Sequence, residues 1–136
     1  GGTYTGNVVS TAAADATLEY MQSGKVFPHI EKIGGILMTG IDEILNRYNI
    51  PHFVTGVPAM FGIIFAEKMP TDWRELLQPD WDFYEESTTP MIEEHGVLPE
   101  SYGLEPYVLC ADHSEEDAAK TLEAFEDGLR HALKNR

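Results

Sequence analysis

The sequence predicts an α+β domain in which about four helices cover one face of a small antiparallel sheet of about three strands. Three observations lead to this fold class. Segments with apolar residues at helical spacing occupy both ends of the chain, a hairpin pattern lies between them, and a short apolar run precedes the last helix. At 136 residues the chain is long enough to bury one core.

The first half predicts two helices. An alanine-rich run from Asn7 to about Gln22 has a face of small residues, which would allow another element to approach closely. A second helix is predicted from about Val26 to Tyr48. Its apolar stripe consists of Val26, Ile30, Ile33, Leu37, Ile41, Ile44 and Leu45. Three glycines in this helix, Gly34, Gly35 and Gly40, indicate tight packing or a bend.

The segment "HFVTGVPAMFGIIFAE" predicts a hairpin. Its strands would run from His52 to Thr55 and from Met60 to Ala66, with a turn at residues 56–58. A long loop follows, with one helical turn expected around Trp73 to Leu77.

The last third predicts a helix from about Trp81 to His95, ended by Gly96. The segment "PYVLCA" predicts a short buried strand, and Ser114 with Asp117 forms a capping-box pattern before the final helix. That helix is expected to bury Ala118, Leu122, Phe125, Leu129 and Leu133.

The charge balance limits the classes of partner. Nine basic and 23 acidic residues give a net charge of -14, which argues against nucleic acid and anionic membrane surfaces. The chain has one cysteine, Cys110, and no apolar run of the roughly 20 residues that cross a bilayer. We therefore expect a cytoplasmic protein. Because position 1 is not methionine, we also expect that the chain was cut from a longer one.

The opening loop "GGTYTGN" permits two interpretations. Asn7 could simply cap the helix that follows. Alternatively, backbone N–H groups, the helix N-terminus and the hydroxyl of Thr3 or Thr5 could bind a phosphate. The loop matches neither standard phosphate-binding fingerprint, and the first basic residue is Lys25.

Other reactive residues give weaker signals. The five histidines show no HxxxH spacing, so we expect no metal site, and Cys110 before His113 is more typical of a small core residue than of a nucleophile. Glu105 precedes Pro106 at the entrance to the last strand, where side chains often face a site. The simplest interpretation of Glu105 is a surface glutamate.

Several segments together resemble one family. "GGTYTGN" before an alanine-rich helix is similar to the G-T-x-x-G-N segment of class III aminotransferases, which are pyridoxal-phosphate enzymes of fold type I. "VTGVPAMFGIIF", "DWDFYEE", "HGVLPE" and "LCADHSEEDAAKTLEAFEDGL" resemble the rest of that family's C-terminal region in the same order. The glutamate-1-semialdehyde aminomutase branch is the most similar.

The resemblance implies a role for the opening loop. The family's threonine at this position donates to the phosphate of the partner subunit's cofactor, and the matching residue is Thr3, with Gly2 supplying backbone. The family's Schiff-base lysine lies upstream of the motif, so the isolated chain is expected to be inactive. None of the chain's lysines matches it: Lys25, Lys32, Lys68, Lys120 and Lys134.

Glu105 acquires a substrate-facing role from the same resemblance. Many class III members carry an arginine near this place that binds a substrate carboxylate, whereas the aminomutase branch has a glutamate in an F-E-x-x-F context. "LEPYV" matches that context in part, with Leu104 in place of the aromatic residue and Pro106 following Glu105.

These observations predict the C-terminal small domain of a homodimeric class III aminotransferase or aminomutase that acts on a small amino substrate. Residues 1–22 would form the loop and connecting helix, and residues 23–136 an α+β body that closes over the cofactor cleft. A stand-alone acidic binding or regulatory module without catalysis is the alternative, because phosphate-handling helix N-termini are common.

Overall fold

A computed structural model describes residues 1–100 and 103–136. The elements it contains are α1 (Val8–Gln22), α2 (Val26–Arg47), β1 (Phe53–Val57), β2 (Met60–Ile64), α3 (Trp73–Leu76), α4 (Trp81–Glu93), β3 (Tyr107–Val108) and α5 (Glu115–Lys134). Four long helices, one helical turn and a three-stranded antiparallel sheet confirm the predicted α+β class.

The first helix forms as predicted, and its face of small residues is exposed. Asn7 caps it, because its Oδ1 accepts hydrogen bonds from the N–H groups of Val9 and Ser10 at 3.1 and 3.0 Å. No residue of α1 is buried. The close approach that its small face favours is therefore not made by the described part of the chain.

The core is built on α2 and α5. All seven residues of the predicted α2 stripe are buried. The α5 capping box is confirmed, since Ser114 Oγ accepts from Asp117 N–H while the Asp117 carboxylate accepts from Ser114 N–H. Ala118, Phe125 and Leu129 of α5 are buried, whereas Leu122 and Leu133 are partly exposed and pack at its margin.

The sheet has the order β1-β2-β3 with both pairs antiparallel. The hairpin turn was predicted two residues too early, because Gly56 and Val57 belong to β1 and pair with Phe61 and Met60. Gly56 has φ 109°, a conformation that glycine allows, and so the ladder continues to Val57.

The third strand is shorter than the "PYVLCA" pattern predicts. Of the described residues that follow α4, only Tyr107 and Val108 pair with β2. Just beyond them the backbone N–H of Cys110 donates to Nδ1 of His113 at 3.0 Å, so a side chain takes the place of a strand partner. The chain then turns into α5.

One face of the sheet packs on the helices. Phe61 and Ile63 are buried on that face, and Phe61 stacks on Tyr107 with ring centroids 5.2 Å apart. Helix α4 ends at Glu93, two residues before the predicted end, and Gly96 follows at φ 62°. Across the described residues, no helix combines the length and apolar character needed to span a membrane.

Candidate functional site

The opening loop is a compact double turn. Thr5 N–H donates to the carbonyl of Gly2 at 3.0 Å, and Asn7 N–H donates to the carbonyl of Tyr4 at 3.1 Å. The N–H of Gly2 donates in turn to Oγ1 of Thr5 at 2.8 Å. Gly6, at φ 80°, directs the chain into the capped start of α1.

Thr3 differs from Thr5 and Asn7, the loop's other residues with short polar side chains. Asn7 and Thr5 are both occupied in holding the turn. The Thr3 hydroxyl has no hydrogen-bond partner within residues 1–100 and 103–136, and Thr3 is exposed. Tyr4 is also exposed and its hydroxyl has no hydrogen-bond partner among the described residues, so the loop presents two uncommitted hydroxyls, those of Thr3 and Tyr4.

The structure confirms the capping interpretation of the loop, and the phosphate interpretation stays a prediction. The cap by Asn7 is present, and it occupies the N–H groups of Val9 and Ser10 that a bound anion would otherwise use. Gly2 also commits its N–H inside the loop. The side-chain donors that the loop can offer a phosphate are thus the hydroxyls of Thr3 and Tyr4, without a cation, since the sequence has no lysine or arginine before Lys25.

Glu105 lies in an exposed segment that leads into β3. Gly103, which begins the segment at φ 69°, packs so closely on Trp81 that a Cβ there would lie 2.3 Å from the indole. Among the described residues no hydrogen bond or ion pair joins Glu105 to the opening loop. The roles expected for Gly2, Thr3 and Glu105 remain predictions.

A pair of tyrosines anchors the strand that follows Glu105. The hydroxyls of Tyr84 on α4 and Tyr107 on β3 are 2.9 Å apart, and Tyr84 also donates to the carbonyl of Glu100 at 2.9 Å. Burial is the main cause that raises the pKa of each phenol, so both stay protonated. No local sequence pattern predicts this contact, because 23 residues separate Tyr84 from Tyr107.

A groove of about 550 Å³ adjoins β3 between α2, α5 and the 96–100 segment. Ile33 and Leu37 give it an apolar lining, and His113 and Asp117 line it too. Both polar groups are committed to local structure, since His113 Nδ1 accepts from Cys110 N–H and Asp117 caps α5.

Metal binding finds no support in the described part of the chain. There, no three histidine, cysteine, aspartate or glutamate side chains gather as ligands would. His113, three residues after Cys110, accepts a hydrogen bond at Nδ1 from the backbone N–H of Cys110. That contact gives the ring a structural role at the turn before α5.

All five lysines are exposed to solvent, which bears on whether one of them could bind a cofactor covalently. Lys32 forms an ion pair with Glu115 at 2.5 Å, and Lys68 forms one with Glu75 at 3.4 Å. A lysine that attacks a carbonyl is normally activated by an apolar pocket or by a neighbouring cation. Lys120 borders the groove of about 550 Å³ and Lys68 borders a second pocket beside Phe65, but both lysines are exposed to solvent, so neither is desolvated as this activation requires.

Comparison with known proteins identifies relatives of nearly the whole chain. No family model matches it. Glutamate-1-semialdehyde 2,1-aminomutase from Thermoplasma acidophilum is 34% identical over 133 residues, which are 98% of this chain and 31% of the relative. The enzymes of the same name from Methanococcoides burtonii and Thermus thermophilus are each 30% identical over 129 residues. The chain thus spans about 30% of the length of these curated relatives.

Solved structures show the same fold. An omega-transaminase from Sphaerobacter thermophilus superposes with a TM-score of 0.80 at 19% identity, over 98% of this chain and 30% of that one. A transaminase with PLP bound matches 79% of this chain with a TM-score of 0.64 at 17% identity. In both cases the chain corresponds to a minor part of a larger molecule.

Proposed function

The chain belongs to the class III aminotransferase family and corresponds to its C-terminal domain, and we propose that it works as that domain in a pyridoxal-phosphate-dependent aminotransferase or aminomutase. Its relatives are about three times as long as the region they share with it. The remaining part of the parent would carry the lysine that binds the cofactor.

The uncommitted hydroxyl of Thr3 is the observation that supports this function most directly. Thr3 lies in a tight, glycine-rich loop whose own hydrogen bonds are formed by Gly2, Thr5 and Asn7. A hydroxyl held in this way can donate to a phosphate oxygen without reorganisation of the loop. In the parent homodimer Thr3 would donate to the phosphate of the partner subunit's cofactor.

The residues present fit one side of a phosphate site and no more. They supply a hydroxyl donor but no cation, because residues 1–24 contain neither lysine nor arginine. Pyridoxal phosphate, when bound, supplies the electron sink that weakens bonds at the amino-bearing carbon of the substrate. Thr3 would hold this group in place and take no part in proton transfer.

Glu105 would act on the substrate rather than on the cofactor. Its side chain is exposed at the entrance to β3, and β3 is held by the Tyr84–Tyr107 contact. A carboxylate at this position repels a substrate carboxylate, whereas an arginine would bind it. The domain would thus favour a substrate whose carboxylate is bound elsewhere, and its closure would exclude water from the cleft.

The change Thr3→Ala in the full-length parent tests the proposed phosphate contact. A hydrogen bond to a charged group contributes roughly 1.5 to 3 kcal/mol, so the dissociation constant for pyridoxal phosphate should rise about tenfold to a hundredfold. Cofactor retention during dialysis, followed by absorbance, measures this change.

Thr17→Ala is the matched control, because it removes the same hydroxyl from the middle of α1, where Thr17 donates only to the carbonyl of Ala13. This variant should retain the cofactor like the unaltered parent. Equal retention by Thr3→Ala would show that Thr3 is not the phosphate ligand. A parent with no affinity for pyridoxal phosphate would favour the stand-alone module instead.

A further inference from the structure

The segment that carries Glu105 begins on a close contact with α4. We call residues 103–107, with Glu105 at their centre, the Glu105 segment. Its first residue, Gly103, packs so tightly on Trp81 that a Cβ would lie 2.3 Å from the indole. The indole is fixed in turn, because its Nε1 donates to the carbonyl of Leu76 at 3.0 Å. This contact therefore determines where the Glu105 segment starts.

The last residue of the Glu105 segment is held by the same face of α4. Tyr107 shares a hydrogen bond of 2.9 Å with Tyr84, and its ring stacks on Phe61 with the ring planes 4° apart. Tyr84 follows Trp81 by three residues, so both rings lie on one side of the helix. Tyr84 is also only 1% exposed. Both ends of the Glu105 segment are thus attached to two neighbouring side chains of α4.

The hydrogen bonds of the two tyrosines run in one direction. The Tyr84 hydroxyl contacts the carbonyl of Glu100 and the hydroxyl of Tyr107, each at 2.9 Å. A phenol carries one proton and a carbonyl can only accept, so both contacts are hydrogen bonds only when Tyr107 donates to Tyr84 and Tyr84 donates to Glu100. Burial raises the pKa of both phenols, which keeps both protons in place. Removal of the Tyr84 hydroxyl therefore breaks both hydrogen bonds at once.

Glu105 itself depends on these anchors for its position. It is exposed, and among the described residues its side chain makes no hydrogen bond or ion pair. Gly103 and Tyr107 each lie two residues away from it, and Pro106 stiffens the link to Tyr107 because its ring fixes φ. A shift of either anchor would therefore reach Glu105 across only two residues.

We propose that Trp81 and Tyr84 are positioning residues, which hold Glu105 against the substrate and so set how strongly the parent discriminates against a carboxylate beside it. This inference rests on the proposed function, which gives Glu105 a substrate-facing role. The repulsion between two carboxylates weakens as their distance grows. A Glu105 segment released from α4 would let Glu105 turn away, and the discrimination would fall. Both aromatic residues act through Glu105 and not on the substrate.

Two matched amines measure this discrimination in the full-length parent with pyridoxal phosphate bound. Isopropylamine carries a methyl group where L-alanine carries its carboxylate. Each amine gives its amino group to the cofactor, which becomes its amine form, and leaves as acetone or pyruvate. Cofactor absorbance gives kcat/KM for each half-reaction, and the value for L-alanine divided by that for isopropylamine is the alanine preference. Glu105→Gln should raise the alanine preference about fivefold, because one repulsive charge is lost.

Tyr84→Phe should raise the alanine preference about two- to fivefold, because it releases the end of the Glu105 segment. Trp81→Phe, which withdraws the indole from Gly103, should act in the same direction. In combination with Glu105→Gln neither change should add to the effect, since a neutral side chain leaves no charge to position. Tyr107→Phe breaks the same link and replaces Tyr84→Phe if that variant does not fold.

Tyr48→Phe is the matched control. It also removes a tyrosine hydroxyl with two hydrogen-bond partners, but these are Glu126 and Arg130 on α5, away from the Glu105 segment. It should leave the alanine preference unchanged. A loss of stability by itself slows both amines alike, so the ratio responds to the position of the charge and not to a weakened fold.

The outcomes separate this inference from the proposed function. If Glu105→Gln changes the alanine preference but Tyr84→Phe and Trp81→Phe do not, the positioning role is overturned and the proposed function stands. An effect of Tyr84→Phe that persists in full beside Glu105→Gln also overturns the positioning role. No change from Glu105→Gln contradicts the substrate-facing role of Glu105 and, with it, the positioning role. A parent with no affinity for pyridoxal phosphate contradicts the proposed function itself.

Discussion

At the scale of single residues, Gly34 shows how tightly α2 packs on the hairpin. A Cβ at this position would lie 1.9 Å from the carbonyl oxygen of Pro58, in the turn between β1 and β2. The next residue, Gly35, has nothing within 4 Å of the same position. Two adjacent glycines of one helix therefore have different reasons to be glycine.

Gly34→Ala should destabilise the domain by about 1 to 3 kcal/mol, because α2 and the hairpin turn must separate to admit the methyl group. Gly35→Ala is the matched control and should be neutral or stabilising by up to about 1 kcal/mol, through higher helix propensity alone. Urea unfolding measures both free energies. Equal stability of the two variants would contradict the close approach at Gly34.

At the scale of elements, Glu126 joins α2 to α5. Its carboxylate accepts from Arg47 at 2.9 Å, from the Tyr48 hydroxyl at 3.0 Å and from Arg130 at 2.9 Å. Burial by itself would raise the pKa of Glu126, but the hydrogen bonds from Arg130 and Tyr48 outweigh burial and lower it. Glu126 thus favours the folded state when it is ionised.

The lowered pKa predicts an acid-dependent loss of stability. The pKa of Glu126 is lower in the folded chain than its ordinary value of 4.5, which applies to the unfolded chain. Its carboxylate therefore stabilises the fold fully when the pH is above 4.5. This stabilisation is lost as the pH falls through the pKa of the folded state. Glu126→Gln should therefore lower the urea midpoint of unfolding at about pH 7. The decrease in this midpoint between about pH 7 and about pH 3.5 should be smaller for the variant than for the unaltered chain.

Glu123→Gln is the control for this measurement, since Glu123 lies on the exposed surface of the same helix. It should keep the full drop of the unaltered chain. If Glu126→Gln shows the same acid dependence as the unaltered chain, the contact between α2 and α5 does not depend on this carboxylate. Other groups with lowered pKa, such as Asp80 and Glu115, would then account for the drop.

At the scale of the whole molecule, the proposed function gives the chain one side of a cofactor site, while the lysine that binds the cofactor covalently would lie elsewhere in the parent. All five lysines are exposed, and two of them are held in ion pairs with Glu115 and Glu75. We expect the purified 136-residue chain, mixed with pyridoxal phosphate, to show no stoichiometric absorbance band from one specific lysine and no aminotransferase activity. A band abolished by a single lysine substitution would contradict this expectation.

The sequence predicted the elements whose signal is local. The α2 stripe is visible because burial on one helical face repeats along the chain, and the α5 cap because Ser114 and Asp117 are three residues apart. It misplaced the hairpin turn because Gly56 looks like a turn residue, whereas its positive φ lies within the β1–β2 ladder. It overextended β3 because the side chain that ends it, His113, acts from outside the apolar run.

The candidate site, too, has features that the sequence predicts and features that depend on the fold. Thr3, Gly2 and Glu105 were singled out from the residues and their resemblance to a family, but the sequence could not show that Thr5 and Asn7 are occupied while the Thr3 hydroxyl is not. That difference depends on how the loop turns. The Tyr84–Tyr107 contact likewise joins residues 23 positions apart, so no local sequence pattern predicts it.

By itself, the sequence determined the α+β class, the helical core stripe, the capped final helix and the resemblance to class III aminotransferases, because periodicity, capping and motif order are properties of neighbouring residues. Which groups remain uncommitted is visible only in the folded chain: they include the hydroxyls of Thr3 and Tyr4, the face of α1, and the exposed side chains of Val57, Met60 and Val108. Whether a group has a partner depends on contacts between distant segments and on which face of a sheet the helices cover.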